Sequence, residues 1–254
     1  MHAITVRPTD TTDSKGRHRP GPECIEWTEV PTPQPGPGEA LVKVTAAGIN
    51  RGDLLQRQGL YPPPKGVSDT MGLEVTGTVS ALGPGVDWSE GDEVVALLAG
   101  GGYAEYVIVP AGQLLPIPDG IDPVTASTLI EVAATVISNM DHVGLAKGET
   151  FLVHGGAGGI GQFAIQYAKS LGCTVITTCG TAEKQEFCRA LGADVVLNYH
   201  DDWVGGVKDA TEGRGADVIL DVMGAKYLDL NVDALATGGR LDIIGMQGLS
   251  LIHI

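Results

Sequence analysis

Phe151-Leu-Val-His-Gly-Gly-Ala-Gly-Gly-Ile-Gly-Gln-Phe-Ala-Ile-Gln-Tyr-Ala-Lys169 decides the fold. Its first four residues form an apolar, strand-like run. Gly156, Gly158 and Gly161 then match the spacing G-x-G-x-x-G, with Ala157, Gly159 and Ile160 between them. An amphipathic pattern follows directly. A strand before and a helix after is the context in which this motif acts as a phosphate cradle. Glycines permit a tight turn and close approach of the backbone, and the opening helix supplies free N–H groups and a positive dipole end. Taken alone, the same residues are also compatible with a glycine-rich turn that holds no ligand.

Outward from this turn, strands and helices alternate to the end of the chain. Strand-like runs start at Thr150, Thr174, Asp194, Asp217 and Arg240. Near-continuous Val, Ile and Leu in such runs is the mark of parallel strands buried on both faces. Helical spacing fits 162–171, 182–191, 202–211 and 225–235 between them. The pattern predicts a doubly wound α/β domain. Upstream, β-branched runs begin at His2, Cys24, Glu39, Leu73, Asp92 and Tyr103, separated by turn residues such as the Pro- and Gly-rich 31–38. These predict a small all-β barrel or sandwich. The stretch from Thr9 to Pro22 interrupts that rhythm and reads as a loop. Asp122 and Pro123 form a helix N-cap and N1 pair, so a helix is expected from there and the domains divide as 1–122 and 123–254.

In dinucleotide-binding domains of this kind, an acidic residue usually ends the second strand and binds a ribose 2′-hydroxyl. Here that strand ends Cys179-Gly180-Thr181, with no carboxylate before Glu183 and with Lys184 next. A hydroxyl and an ammonium at a helix start suit a 2′-phosphate, which predicts NADPH over NADH. Thr181 as a helix N-cap and Lys184 as a solvated charge is the alternative.

The net charge of −15 opposes nucleic acid as a partner. Cys24, Cys173, Cys179 and Cys188 form no CxxC pair or Cys/His cluster, so no zinc site is expected. No signal-like segment or membrane-length apolar run stands out, and a cytoplasmic enzyme is expected.

The segment Gly48–Pro64, with GLEVTGTVSALGPGV, GDEVVALLAGGGYAEYVIVP, VHGGAGGIG, AIQYAKSLG, LGADVVLNY, ADVILDVMGA and GGRLDIIGMQG, resembles the zinc-independent NADPH:quinone oxidoreductases of the medium-chain dehydrogenase/reductase superfamily. The resemblance covers nearly the whole chain. It implies a GroES-like β-barrel domain followed by a Rossmann domain, with the active site in the cleft between them. Where zinc-dependent relatives carry a cysteine and a Gly-His-Glu segment, this chain has Asn50 and Gly72-Leu73-Glu74. The resemblance also implies site residues. Asn50 would lie beside the nicotinamide or the substrate carbonyl, and Tyr61 would edge the substrate pocket. Thr135 would contact the cofactor, while Gly180, Thr181 and Lys184 would hold the 2′-phosphate. Tyr199 would lie against the adenosine end, and Gly224, Gly245 and Met246 near the nicotinamide ribose. Plainer readings stand beside these: a turn cap for Asn50, a proline-packed aromatic for Tyr61, a buried helix residue for Thr135, a strand end for Tyr199. Asp53 and Arg57 read as an i, i+4 ion pair. His154 reads as a histidine satisfied by backbone.

The implied activity is hydride transfer from NADPH to a small quinone acceptor, with an enal or enoyl reductase, or a non-catalytic NADPH-binding sensor or crystallin-like protein, as alternatives. Family members dimerise, so a homodimer is admitted. The family pattern continues beyond Gly245-Met-Gln-Gly248, whereas this chain ends GLSLIHI. A C-terminal truncation is therefore expected.

Overall fold

The structure is a computed structural model and describes residues 1–7, 10–12, 19–245 and 247. Half of the Thr9–Pro22 stretch, and Met246, therefore lie outside the described residues. The chain divides into two compact units, Met1–Glu131 and Val132–Ile254.

In the first unit, β1 (His2–Val6) pairs antiparallel with β2 (Ile25–Glu29). The strands β3 (Glu39–Ala47), β4 (Glu74–Leu82), β5 (Glu93–Leu97), β6 (Tyr106–Pro110) and β7 (Leu114–Pro116) form an antiparallel sheet in the order β6-β3-β4-β5-β7. A bridge between Ala3 and Ala104 ties the small sheet to the larger region. Alternate residues face one core: Ala40 and Val42, Val75 and Val79, Val94 and Ala96, Val107 and Val109. That is the period of two that the sequence carries. At three residues, β7 is too short for periodicity to reveal.

Helix α1 (Arg51–Arg57) follows β3. The helix expected from Asp122 is interrupted. It comprises α2 (Pro123–Ala126) and α3 (Ile130–Val143). The Asp122 carboxylate caps α2 by accepting from Val124 and Thr125 N–H, each at 3.0 Å. Ser127 and Thr128 then donate their hydroxyls back to the Val124 and Thr125 carbonyls. Such local bonds compete with helix continuation.

The second unit holds β8 (Thr150–His154), β9 (Thr174–Cys179), β10 (Val195–Asn198), β11 (Ala216–Asp221) and β12 (Leu235–Ile243). All pair in parallel, in the order β10-β9-β8-β11-β12. Counting from β8, that is 3-2-1-4-5, the doubly wound order. Helices α4 (Gly159–Ser170), α5 (Ala182–Ala190), α6 (Trp203–Ala210) and α7 (Leu228–Ala234) connect the strands. Alternation sorts the strand side chains into two cores. Phe151, Val153, Val175, Val218 and Leu220 pack with residues of α3, α4 and α5. Leu152, Ile176 and Ile219 pack with Trp203 and Val207 of α6 and Ala234 of α7. The parallel order reverses between β8 and β11, whose neighbouring ends are joined by no direct loop. Sheets of this type bind ligands outside the carboxyl ends of the strands at that switch point. No helix among the described residues is long and apolar enough to cross a membrane.

Candidate functional site

The turn from His154 to Gly161 lies at the carboxyl end of β8. Gly155 has φ of +71°, a left-handed conformation open to glycine at little cost. Its N–H and that of Gly156 both donate to the Thr178 carbonyl at 3.1 Å. A Cβ on Gly156 would collide with Thr177 Oγ1 and stand 3.0 Å from Cys188 Sγ. Burial pushes that Cys188 thiol up to about 12, leaving it a neutral packing group. A Cβ on Gly161 would collide with the Gly155 carbonyl oxygen and stand 2.6 Å from Gly156 Cα. These two glycines bring helix and strand together. Gly158, exposed with Gly159, is the N-cap of α4, and the bond from Gln162 N–H to Gly158 O opens the helix. Helix geometry leaves the N–H groups of Gly159, Ile160 and Gly161 without an intrahelical acceptor. The result is a shallow cradle of backbone donors at a positive dipole end. It fits the diphosphate of a dinucleotide, because Gly158 and Gly159 are exposed and place no side chain in front of those donors.

Beside the cradle, β9 ends at Cys179 and Gly180 follows. A Cβ there would collide with the Tyr199 hydroxyl and stand 2.6 Å from Tyr199 Cζ. Tyr199 itself is half exposed. Thr181 caps α5, its hydroxyl accepting from Lys184 N–H at 3.3 Å. Gly180, Thr181, Lys184 and Tyr199 are thus gathered at the ends of β9 and β10, with Thr181 and the Lys184 side chain solvent-facing. The capping role read for Thr181 is present, and it leaves the hydroxyl at the helix opening where an anion is favoured.

At the end of β11, Gly224 is buried with φ of +76°, and its N–H donates to Asp221 Oδ2 at 3.1 Å. Gly245 packs on the same turn: a Cβ there would stand 2.7 Å from the Val222 carbonyl oxygen. Thr135 sits half buried in α3, its carbonyl accepting from Asn139 Nδ2 at 2.7 Å. One turn earlier in α3, Val132 Cγ1 would touch a Cβ on Gly159 at 3.5 Å. Helix α3 therefore passes the mouth of the cradle.

His154 is not satisfied by backbone, as its position suggested. Its ring bonds two side chains: Nδ1 with Thr178 Oγ1 at 3.0 Å, and Nε2 with Asn231 Oδ1 at 2.7 Å. Trp203 and Tyr227 stand edge-on to it. Burial lowers its pKa and keeps it neutral.

In the first unit, Asn50 is the N-cap residue of α1. Its side-chain Nδ2 donates to Glu74 Oε1 at 2.8 Å, and the Glu131 N–H donates to Glu74 Oε2 at 3.0 Å. Gly48 makes room for Glu74, since a Cβ there would collide with Oε1. Glu74 is almost fully buried, and that burial pushes its carboxyl above the usual range. Asp53 does not pair with Arg57. Its carboxylate accepts from Asn50 N–H at 2.7 Å, Gly72 N–H at 3.2 Å and the Tyr103 hydroxyl at 2.7 Å. Arg57 donates to the Pro20 carbonyl instead. Asp53 points inward from α1, where three donors outbid a solvent-side cation. Burial, then the bond to Asp53, raises the Tyr103 pKa. Tyr61 is half exposed, with Cε1 3.7 Å from where a Cβ on Gly52 would stand, two residues into α1 from Asn50.

Sequence reading missed the roles of Asp53, Glu74, Asp221 and Asn231. Asp221 carried a signal: it is a carboxylate directly after the apolar run Val218-Ile-Leu220, three residues before a glycine. Asn231 carried none. Among the described residues, no group of three or more His, Cys, Asp or Glu side chains is arranged to hold a metal ion.

Two family models match. The alcohol dehydrogenase GroES-like domain covers residues 36–119, and the zinc-binding dehydrogenase family covers residues 159–253. A bovine (Bos taurus) prostaglandin reductase-3 is 39% identical over 85% of this chain, and the chain spans 58% of that protein's length. A quinone oxidoreductase of Pseudomonas aeruginosa is 34% identical over 89% of this chain and 70% of its own. A mycobacterial protein solved in complex with NADPH superposes with a TM-score of 0.84 at 38% identity, over 97% of this chain and 74% of its own. The two-unit architecture, the 3-2-1-4-5 sheet and these matches together establish that the chain belongs to the medium-chain dehydrogenase/reductase superfamily, among its quinone oxidoreductase-like members.

Proposed function

We propose that the chain binds NADPH and reduces a small conjugated acceptor, a quinone in the first place. The observation that carries this reading is the open N-terminus of α4, whose first N–H groups stand at the carboxyl end of β8 and are held there by the close packing of Gly156 and Gly161. The mycobacterial relative solved with NADPH and the relatives named quinone oxidoreductase support the same cofactor and acceptor class. When bound, NADPH supplies the hydride.

The chain's own residues then bind and orient. The amides of Gly159, Ile160 and Gly161 take the diphosphate, with Thr135 on the adjoining helix. Thr181 and Lys184, after Gly180, take the 2′-phosphate, and Tyr199 covers the adenosine. Gly224 and Gly245 form the backbone path on the other side. Asn50 and Tyr61 donate hydrogen bonds to the acceptor oxygen as negative charge develops there, and solvent completes its protonation. An amide nitrogen carries two protons; Glu74 holds one of those on Asn50, and the second serves the acceptor. Orientation and preset dipoles supply most of the rate.

The test is NADPH oxidation by the full chain with a quinone, with an enone and with no acceptor. Turnover with the quinone is expected to exceed that with the enone. Faster turnover with the enone would reassign the chain to reduction of activated C=C bonds. Binding without turnover on either would leave a cofactor-binding protein. Asn50→Ala and Tyr61→Phe are each expected to lower turnover about tenfold or more, and unchanged turnover in both removes them from the reaction.

A further inference from the structure

A second set of polar groups lies under the site and is closed to solvent. His154 and Thr178 are each 1% exposed, and Asp221 and Asn231 are fully buried. The alternation that sends Leu152, Ile176 and Ile219 to the α6/α7 face sends the residues two further on, His154, Thr178 and Asp221, to the same face. There they meet Asn231 of α7.

The hydrogen bonds have one consistent direction. The Asp221 carboxylate accepts from Met223 N–H at 2.6 Å, Gly224 N–H at 3.1 Å and Asn231 Nδ2 at 3.0 Å. A carboxylate only accepts, so the Asn231 amide is fixed with its oxygen toward His154 Nε2. Nε2 therefore carries the imidazole proton, and Nδ1 accepts from Thr178 Oγ1. That hydroxyl lies 3.4 Å from the Gly155 N–H, which donates to it. An unbroken chain of bonds thus runs from the 222–224 turn to the first residue of the glycine-rich turn. It crosses the switch point between β8 and β11, where no loop joins the two strand ends. Apolar residues of similar volume would fill the space with less desolvation; what the polar chain adds is a fixed spacing between two turns.

This inference rests on the NADPH reading. With the 2′-phosphate at β9 and the diphosphate at β8, strand order carries the remaining half of the dinucleotide over the end of β11. We propose that Asp221, Asn231 and His154 are positioning residues that set the 222–224 turn in advance for the nicotinamide half of the cofactor. They touch no ligand themselves.

Titration calorimetry on the full chain with two probes tests this: 2′,5′-ADP, which represents only the adenosine half, and NADPH. In Asp221→Asn, 2′,5′-ADP affinity is expected to stay within about twofold of wild type, while NADPH affinity falls about tenfold. Equal weakening of both probes would indicate a merely structural role and overturn the proposal, as would no weakening of NADPH. Should that variant fail to fold, hydrogen exchange in the ligand-free wild type decides. Slow exchange of the Met223 and Gly224 amides supports a preset turn; rapid exchange that slows only with NADPH overturns it. Wild-type protein that binds neither probe would remove the NADPH reading itself, and this assignment with it.

Discussion

Two strand-to-helix junctions in this molecule solve opposite problems. At β8–α4 the chain removes side chains until backbone amides stand open, and Gly156 and Gly161 close the packing that holds them. At β3–α1 it surrounds the helix start with carboxylates. Asp53 takes the backbone amides of Asn50 and Gly72 and the Tyr103 hydroxyl, while Glu74 takes the Asn50 side chain. The first junction leaves its donors open, as the proposed diphosphate site requires. The second already contains its anions, and what it offers is one oriented amide. Proximity of a strand to a helix N-terminus therefore does not by itself make an anion site; what fills the donors decides.

The largest expected effect comes from closing the cradle. Gly161→Val places side-chain atoms against the Gly155 and Gly156 backbone and should cost about 3 kcal/mol of stability with NADPH binding abolished, read by thermal melting with and without cofactor. A variant that keeps both would show the turn to be ordinary. The counterpart in the first unit is Asp53→Asn. An amide there turns a donor toward a donor, for about 2 kcal/mol, yet NADPH affinity should stay unchanged. Weakened cofactor binding would contradict the division of labour between the junctions.

These two junctions also differ in how far the sequence revealed them. The cradle was legible because its requirement is the absence of side chains, written locally in glycine spacing next to a strand. The strand order and two-core packing followed from apolar runs of the right length. Asp53 misled for the opposite reason. Its spacing to Arg57 is a local signal, but its partners Gly72 and Tyr103 lie 19 and 50 residues away. His154 likewise finds Asn231 77 residues later. The division of one expected helix into α2 and α3 turned on the Ser127 and Thr128 hydroxyls, whose rotamers no periodicity encodes.

Two smaller effects sharpen the comparison within the second unit. Lys184→Ala should weaken NADPH about tenfold and leave NADH unchanged, measured by fluorescence titration. Equal loss for both cofactors would reduce Lys184 to a surface charge. His154 gives a pH signature. Burial holds its folded pKa below the ordinary 6.5, so as pH falls through that value the unfolded chain binds a proton the folded chain refuses. Its stabilising share is complete above that value and declines as pH falls below it. In His154→Gln that part of the pH dependence of melting should vanish; an unaltered profile would place the titration elsewhere.

The central claim is that a dinucleotide's diphosphate rests on the amides opening α4. Backbone amide NMR shifts recorded during NADPH titration test it most directly. The account predicts that Gly159, Ile160 and Gly161 move most, with the start of α5 following. Saturation with NADPH that leaves those three amides unmoved would contradict it.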